Sequence, residues 1–232
     1  EYLQGFERYA NGRKVVPCFE GDLTSVIETR EPVFTHKNFE RPSQREFREL
    51  REREIASSLE ETLGKIIRFN EENPSQRLVL CIEPKIVTPR ETIASAIKKF
   101  KEYRIRDVYF DSFYGNKLDE VIEENGSQGT SHACSLHLMG NIGNTRFRIP
   151  AGKQKDYDLL AVPYVMSFGR MDKPVIYGAV GSVEKLEELA EDSKVLGIYL
   201  KLKEGSGIRG TVRMLWNSVS NTRRFRGPEN IS

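Results

Sequence analysis

Cysteine is scarce in this 232-residue chain: three residues, Cys18, Cys81 and Cys134, with no paired spacing. An odd, unpaired set gives neither a disulfide framework nor a zinc-binding pattern. Each cysteine falls in a stretch that reads as a strand, where a free thiol serves as a small apolar side chain. An excess of charge of one sign is also lacking. Lys and Arg number 36 against 34 Asp and Glu, a net +2, with the two signs interleaved. That leaves no electrostatic footprint for nucleic acid, and the densest basic spot, Arg223, Arg224 and Arg226, reads as a solvated tail. No apolar run approaches the roughly 20 residues needed to cross a bilayer. The start carries no secretory signal pattern, and the sequence assigns neither a compartment nor an oligomeric state. What remains is an ordinary globular composition, 38% hydrophobic and 30% charged, in a chain long enough for a full-sized core. We expect a single domain over residues 1–232.

Along the chain, strand and helix patterns alternate. Residues 1–14 read as an amphipathic helix with Tyr2, Phe6 and Tyr9 on one side. "VVPCFEGD" (15–22) reads as a strand and "EPVFTH" (31–36) as its return. Residues 44–71 have helical spacing, with Leu59, Leu63, Ile66, Ile67 and Phe69 on the inner face. "RLVLCIE" (77–83) is the near-continuous apolar run of a buried parallel strand. A helix follows over 88–105, with Thr88 placed to cap it, Pro89 in its first turn and Glu91 three residues after the cap. "DVYFDSF" is a strand, and "KLDEVIEENG" a helix ending at Gly126. Strands are expected again near 131, 158, 174 and 195, with a helix at 182–192 and a long loop at 139–157.

Strands alternating with helices predict a parallel α/β sheet. Seven main strands start near 15, 78, 107, 131, 158, 174 and 195. A (β/α)₈ TIM barrel needs eight. The sequence opens in a helix, where the helix after a first strand would lie. We therefore expect a barrel whose first strand lies upstream of Glu1, with a small β-hairpin inserted after the second.

In such barrels the chemistry sits at the C-terminal strand ends. Glu20 and Asp22 end one strand on the same side, and Glu83 ends another, with Lys85 two residues on. A charged Glu closing an apolar run needs a partner. Three hard oxygen ligands suit Mg²⁺ or Ca²⁺, the lysine can neutralise a phosphate, and His36 can serve as general acid or base. "GSGIRG" (205–210) follows a strand and precedes "TVRMLW", which reads as a helix. Too little chain follows for a dinucleotide fold. Gly205 and Gly207 instead fit a phosphate cradle on a helix N-terminus, with a plain loop as the other reading.

These residues carry a resemblance. "FEGDLTSVIETREPVFTH" resembles the Glu-x-Asp…His region of the glycerophosphodiester phosphodiesterase family, within the PLC-like phosphodiesterase superfamily. "SSLEETL", "VLCIEPK", "DSF" with "KLDEVIEENG", and "KPVIYGAVGSVEKLEELAEDSKVLGIYL" resemble its later segments, in the family's order. The resemblance implies a TIM barrel cleaving phosphodiesters with a divalent metal and two histidines. Its substrate would be a small glycerophosphodiester, giving glycerol 3-phosphate and an alcohol. A phospholipase D-like enzyme acting on lysophospholipid or sphingomyelin, as in the related sphingomyelinase D-like phospholipases, is the alternative. A catalytically silent barrel kept for binding is another. The sequence departs from the family in four places. The His-Arg-Gly of the first strand is absent, and Lys37 follows His36. "SVIETRE" replaces the Thr-x-Asp-Gly turn, and "YLKLKEGSG" replaces the Thr-Asp ending of the last strand.

Overall fold

The computed structural model describes residues 15–35, 40–74, 78–137, 157–163, 175–180, 195–201 and 211–216. The chain is mixed α/β and divides into two compact units, Glu20–Cys134 and a second formed by Glu1–Phe19 with Ser135–Ser232. Strand β1 (Val15–Ser25) begins in the second and continues into the first.

In the unit Glu20–Cys134, β2 (Pro32–Thr35) returns antiparallel to β1, with Leu23 opposite Phe34 and Ser25 opposite Pro32. The short β3 (Ala56–Ser58) pairs antiparallel with β2. Strands β4 (Val79–Pro84) and β5 (Val108–Ser112) run parallel, Leu80 opposite Val108 and Ile82 opposite Phe110. Both are buried at every position, which is why their sequences read as unbroken apolar runs rather than alternating ones. Four helices are described here: α1 (Gln44–Glu52), α2 (Leu59–Glu72), α3 (Arg90–Glu102) and α4 (Gly115–Gln128). Helix α3 buries Thr92, Ile93, Ala96, Ile97 and Phe100, a spacing of three and four that forms one apolar stripe.

Several expectations are corrected here. Residues 44–71 are two helices, not one stretch. Ser43 caps α1 in a reciprocal capping box with Glu46, and Ser58 caps α2 by accepting from the Glu61 amide. Between them Glu54 turns the chain at φ 57° and β3 pairs with β2. Of the expected inner face, Leu59, Leu63 and Ile66 are buried, while Ile67 and Phe69 are half-buried. Thr88 does not cap α3. Pro89 takes the cap position with no side-chain bond, because the Thr88 hydroxyl donates to the Leu23 carbonyl of β1 at 2.5 Å. Helix α4 runs through Gly126 and stops at Gly129, whose φ of 63° is a left-handed cap that glycine adopts without strain.

Just before β6 (Ala133–His137), His132 packs edge-on against Phe100 and Phe110, with ring centroids 5.7 and 6.1 Å away. Its Nε2 is shut off from water with no hydrogen-bond partner, and burial pushes the imidazole down to about 4. The unfolded chain binds this proton near pH 6.5 and the folded chain only near 4. Stability should therefore be complete above pH 6.5 and fall by about 3 kcal/mol as pH drops through that window. His132→Phe is expected to flatten this acid limb in urea melts between pH 7.5 and 4.5; an unchanged limb would assign the loss to other groups.

In the second unit, β6 pairs parallel with β7 (Leu159–Pro163), β7 with β8 (Val175–Val180), and β8 with β9 (Val195–Lys201). All seven expected main strands are therefore present. Residues 211–216, expected as a helix, form a strand, β10 (Thr211–Trp216). It lies between β9 and the first residues of β1, antiparallel to both, with Val212 opposite Leu200 and Val15 opposite Trp216. The reason lies in the backbone: as a strand the segment pairs its amides and carbonyls on both sides, with β9 and with β1, partners that no local reading of six residues contains. The helices expected at 1–14 and 182–192 lie outside the described residues, as does most of the 139–157 loop.

Candidate metal centre

Strand β1 carries the first two acids. Alternate residues of a strand share a face, so Glu20 and Asp22 emerge together while Gly21 faces the opposite side. There the Phe34 ring of β2 covers it. A Cβ on Gly21 would lie 2.6 Å from Phe34 Cδ1, so the two acids can flank this position only because the residue between them has no side chain. The third acid, Glu83, stands near the end of β4 and is buried, whereas Glu20 and Asp22 are less fully buried. Carboxylate oxygens of the three lie within 4.8 Å of one another.

Lys85 bridges the cluster. Its Nζ lies 3.0 Å from Asp22 Oδ1 and donates to Glu83 Oε1 at 2.7 Å, and all three side chains are almost sealed from solvent. The turn carrying it is tied to β1, because the Lys85 amide also donates to the Leu23 carbonyl, at 3.4 Å. One turn further on, Lys117 Nζ donates to the Thr88 carbonyl at 2.8 Å and pairs with Glu120. Burial pushes the Glu83 carboxyl up to about 7, against the pull of Lys85, and the charges of Asp22 and Asp111 push the same way. For Lys85, burial works against the charge, but Glu83 and Asp22 outweigh it and hold the ammonium above its ordinary range. Three carboxylates thus meet beside one ammonium, a set of hard oxygen donors that can take a divalent cation.

Of the residues singled out in the sequence, Glu20, Asp22, Glu83 and Lys85 are thus brought together. His36, Gly205 and Gly207 lie outside the described residues. The helix whose N-terminal end was to complete the glycine cradle is β10, so that part of the expectation is withdrawn. Asp111 was missed. It is fully buried near the end of β5, and its signal was the one that marked Glu83, an acid closing an apolar run.

None of the three cysteines is in a disulfide; Cys81 and Cys134 are buried and Cys18 half-buried. Among the described residues no helix is long and apolar enough to cross a membrane. No protein-family model matches the chain, and no curated protein is similar to it in sequence. Among solved structures, its fold is similar to the crystal structure of a "Putative glycerophosphoryl diester phosphodiesterase" from Silicibacter pomeroyi DSS-3. The TM-score is 0.55 at 14% identity, over 81% of this chain and 80% of that one. At that identity the likeness is one of fold.

Proposed function

We propose that this chain is a single-domain (β/α)₈-type phosphodiesterase that hydrolyses glycerophosphodiesters to glycerol 3-phosphate and an alcohol with a divalent ion, Mg²⁺ or Ca²⁺. The observation that carries this reading is the meeting of Glu20, Asp22 and Glu83 within 4.8 Å around the nearly buried Lys85. The likeness of fold to a phosphodiesterase-described structure supports it. The donor set fits the ion, since three anionic oxygens from two strand ends match a hard cation and leave room for water or substrate. When bound, such an ion polarises phosphoryl oxygens and offsets the charge that develops on them.

The chain's own residues do the rest. Glu20, Asp22 and Glu83 hold the ion, and Lys85 presents positive charge to the phosphate. His36 moves the proton between the phosphoester oxygens and water. Gly205 and Gly207 are proposed to approach the phosphate through their backbone amides. A phospholipase D-like reading on lysophospholipid draws on one observation: Ile86, next to Lys85, and Phe113, next to Ser112, are exposed.

The test is turnover of glycerophosphocholine and lysophosphatidylcholine, with chelator and then with Mg²⁺ or Ca²⁺ restored. Hydrolysis lost to chelator and regained with metal is expected, with the first substrate preferred. Turnover that ignores chelator refutes metal dependence, and preference for the second substrate selects the phospholipase reading. No turnover of either, with metal bound, selects a silent binding barrel.

A further inference from the structure

Lys117 is buried in the first turn of α4, where electrostatics is against it twice. The N-terminal end of a helix carries positive partial charge and disfavours a cation. Taking an ammonium out of water is also costly unless it is paired. Glu120, one turn on, supplies the counter-charge, with its two carboxylate oxygens 2.8 and 3.0 Å from Lys117 Nζ. The remaining contact is to a backbone carbonyl of another segment, that of Thr88, at 2.8 Å. A charged donor makes such a bond roughly twice as strong as a neutral one. The cation is thus kept where a helix disfavours it, and what it holds there is one carbonyl.

That carbonyl ends the turn that carries Lys85. Lys85 stands just past the last residue of β4, Pro84, and a side chain on a turn is placed less precisely than one on a strand. The turn closes on itself, the Thr88 amide donating to the Lys85 carbonyl at 2.9 Å. It is tied to β1 through the Leu23 carbonyl, which accepts from both the Lys85 amide and the Thr88 hydroxyl. From the other side Ser112, the last residue of β5, donates its buried hydroxyl to the Pro84 carbonyl at 2.9 Å. Ser112 and Lys117 therefore hold the carbonyls on either side of the turn. Between them stands the ammonium that reaches Asp22 at 3.0 Å and Glu83 at 2.7 Å.

We infer that Lys117 is a positioning residue for Lys85. With Ser112 it clamps the turn so that the Lys85 ammonium stands at a fixed place to meet an anionic phosphate ester. The inference rests on the reading of Lys85 as a phosphate-binding group. The three acids belong to β1 and β4 and not to the turn, so the clamp governs the anion rather than the metal.

The experiment is calorimetric titration of the whole chain with glycerol 3-phosphate, with and without Mg²⁺, and with Mg²⁺ alone. Wild type, Lys85→Met, Lys117→Met and Lys117→Arg are compared well below their melting temperatures. Lys117→Met is expected to bind glycerol 3-phosphate about tenfold more weakly, the loss that follows removal of a group orienting a ligand-binding residue. Its Mg²⁺ affinity should be no weaker than that of wild type. Lys117→Arg can still donate to the Thr88 carbonyl and should recover most of the loss. A merely structural lysine would lower the melting temperature and leave the anion affinity of the folded protein where it was, or weaken anion and metal binding together; either result overturns the inference. Should Lys117→Met fail to fold, Ser112→Ala, which releases the other side of the turn, is titrated in its place, and failure of both makes the clamp a structural device. If wild type takes up no glycerol 3-phosphate, with or without Mg²⁺, or if Lys85→Met binds it as tightly as wild type, the phosphate reading of Lys85 fails, and this inference falls with it.

Discussion

Lys85→Met is expected to lower the stability of the metal-free protein by about 3 kcal/mol. The ammonium lies within 3.0 Å of both Asp22 and Glu83, and all three side chains are nearly closed to water. Removing it leaves two acids facing each other with Glu20 close by, and nothing of opposite sign that the substitution supplies. Methionine keeps most of the stem's volume, so a cavity contributes little. Part of the penalty will be relieved by protonation of Glu83, which burial already disposes toward its neutral form. Urea melts at pH 8, with chelator and with saturating Mg²⁺ or Ca²⁺, measure the effect. The loss should shrink when metal is present, because the ion takes over as counter-charge. A variant as stable as wild type in chelator would mean that the pair contributes no more than a surface ion pair.

Glu83→Gln should abolish the response to metal. A ligand at a hundred times its dissociation constant stabilises a protein by about 2.7 kcal/mol through mass action, and that whole increment is at stake. The amide keeps the shape of the carboxylate and can still accept from Lys85 Nζ, so the metal-free fold should be nearly unaffected. What it loses is the most buried anionic oxygen of the three ligands. Thermal melts with and without metal decide the matter, and an unchanged metal response in the variant would refute the assignment.

The residues of the centre could be read in advance wherever their signal was local. Glu83 and Lys85 close a run of buried apolar residues, and Glu20 and Asp22 share a strand face by spacing alone. Asp111 carried the same mark as Glu83, but its meaning depends on the register between β4 and β5, which no window of sequence contains. Thr88 had a good local role as a cap and was drawn away by a carbonyl 65 residues earlier in the chain. At "NGSQG" both glycines could end a helix; the chain ends it at the second, where φ is positive. Six residues at "TVRMLW" hold too little periodicity to separate strand from helix, and the partners that make them a strand, β9 and β1, are distant in sequence. The need for glycine at position 21 depends on the Phe34 ring packed over it, a contact made by the pairing of β1 with β2.

The antiparallel pairing of Val15 with Trp216 and Cys18 with Arg213 also fixes an order of events in folding. Those partners lie far apart in sequence, so β1 waits with one edge open until β10 has been made. Contacts of such long sequence separation form late and slow the folding of the chain that depends on them. Through that interval an open, apolar strand edge is available to any other nascent chain. We therefore expect this protein to need chaperone holding more than its size suggests.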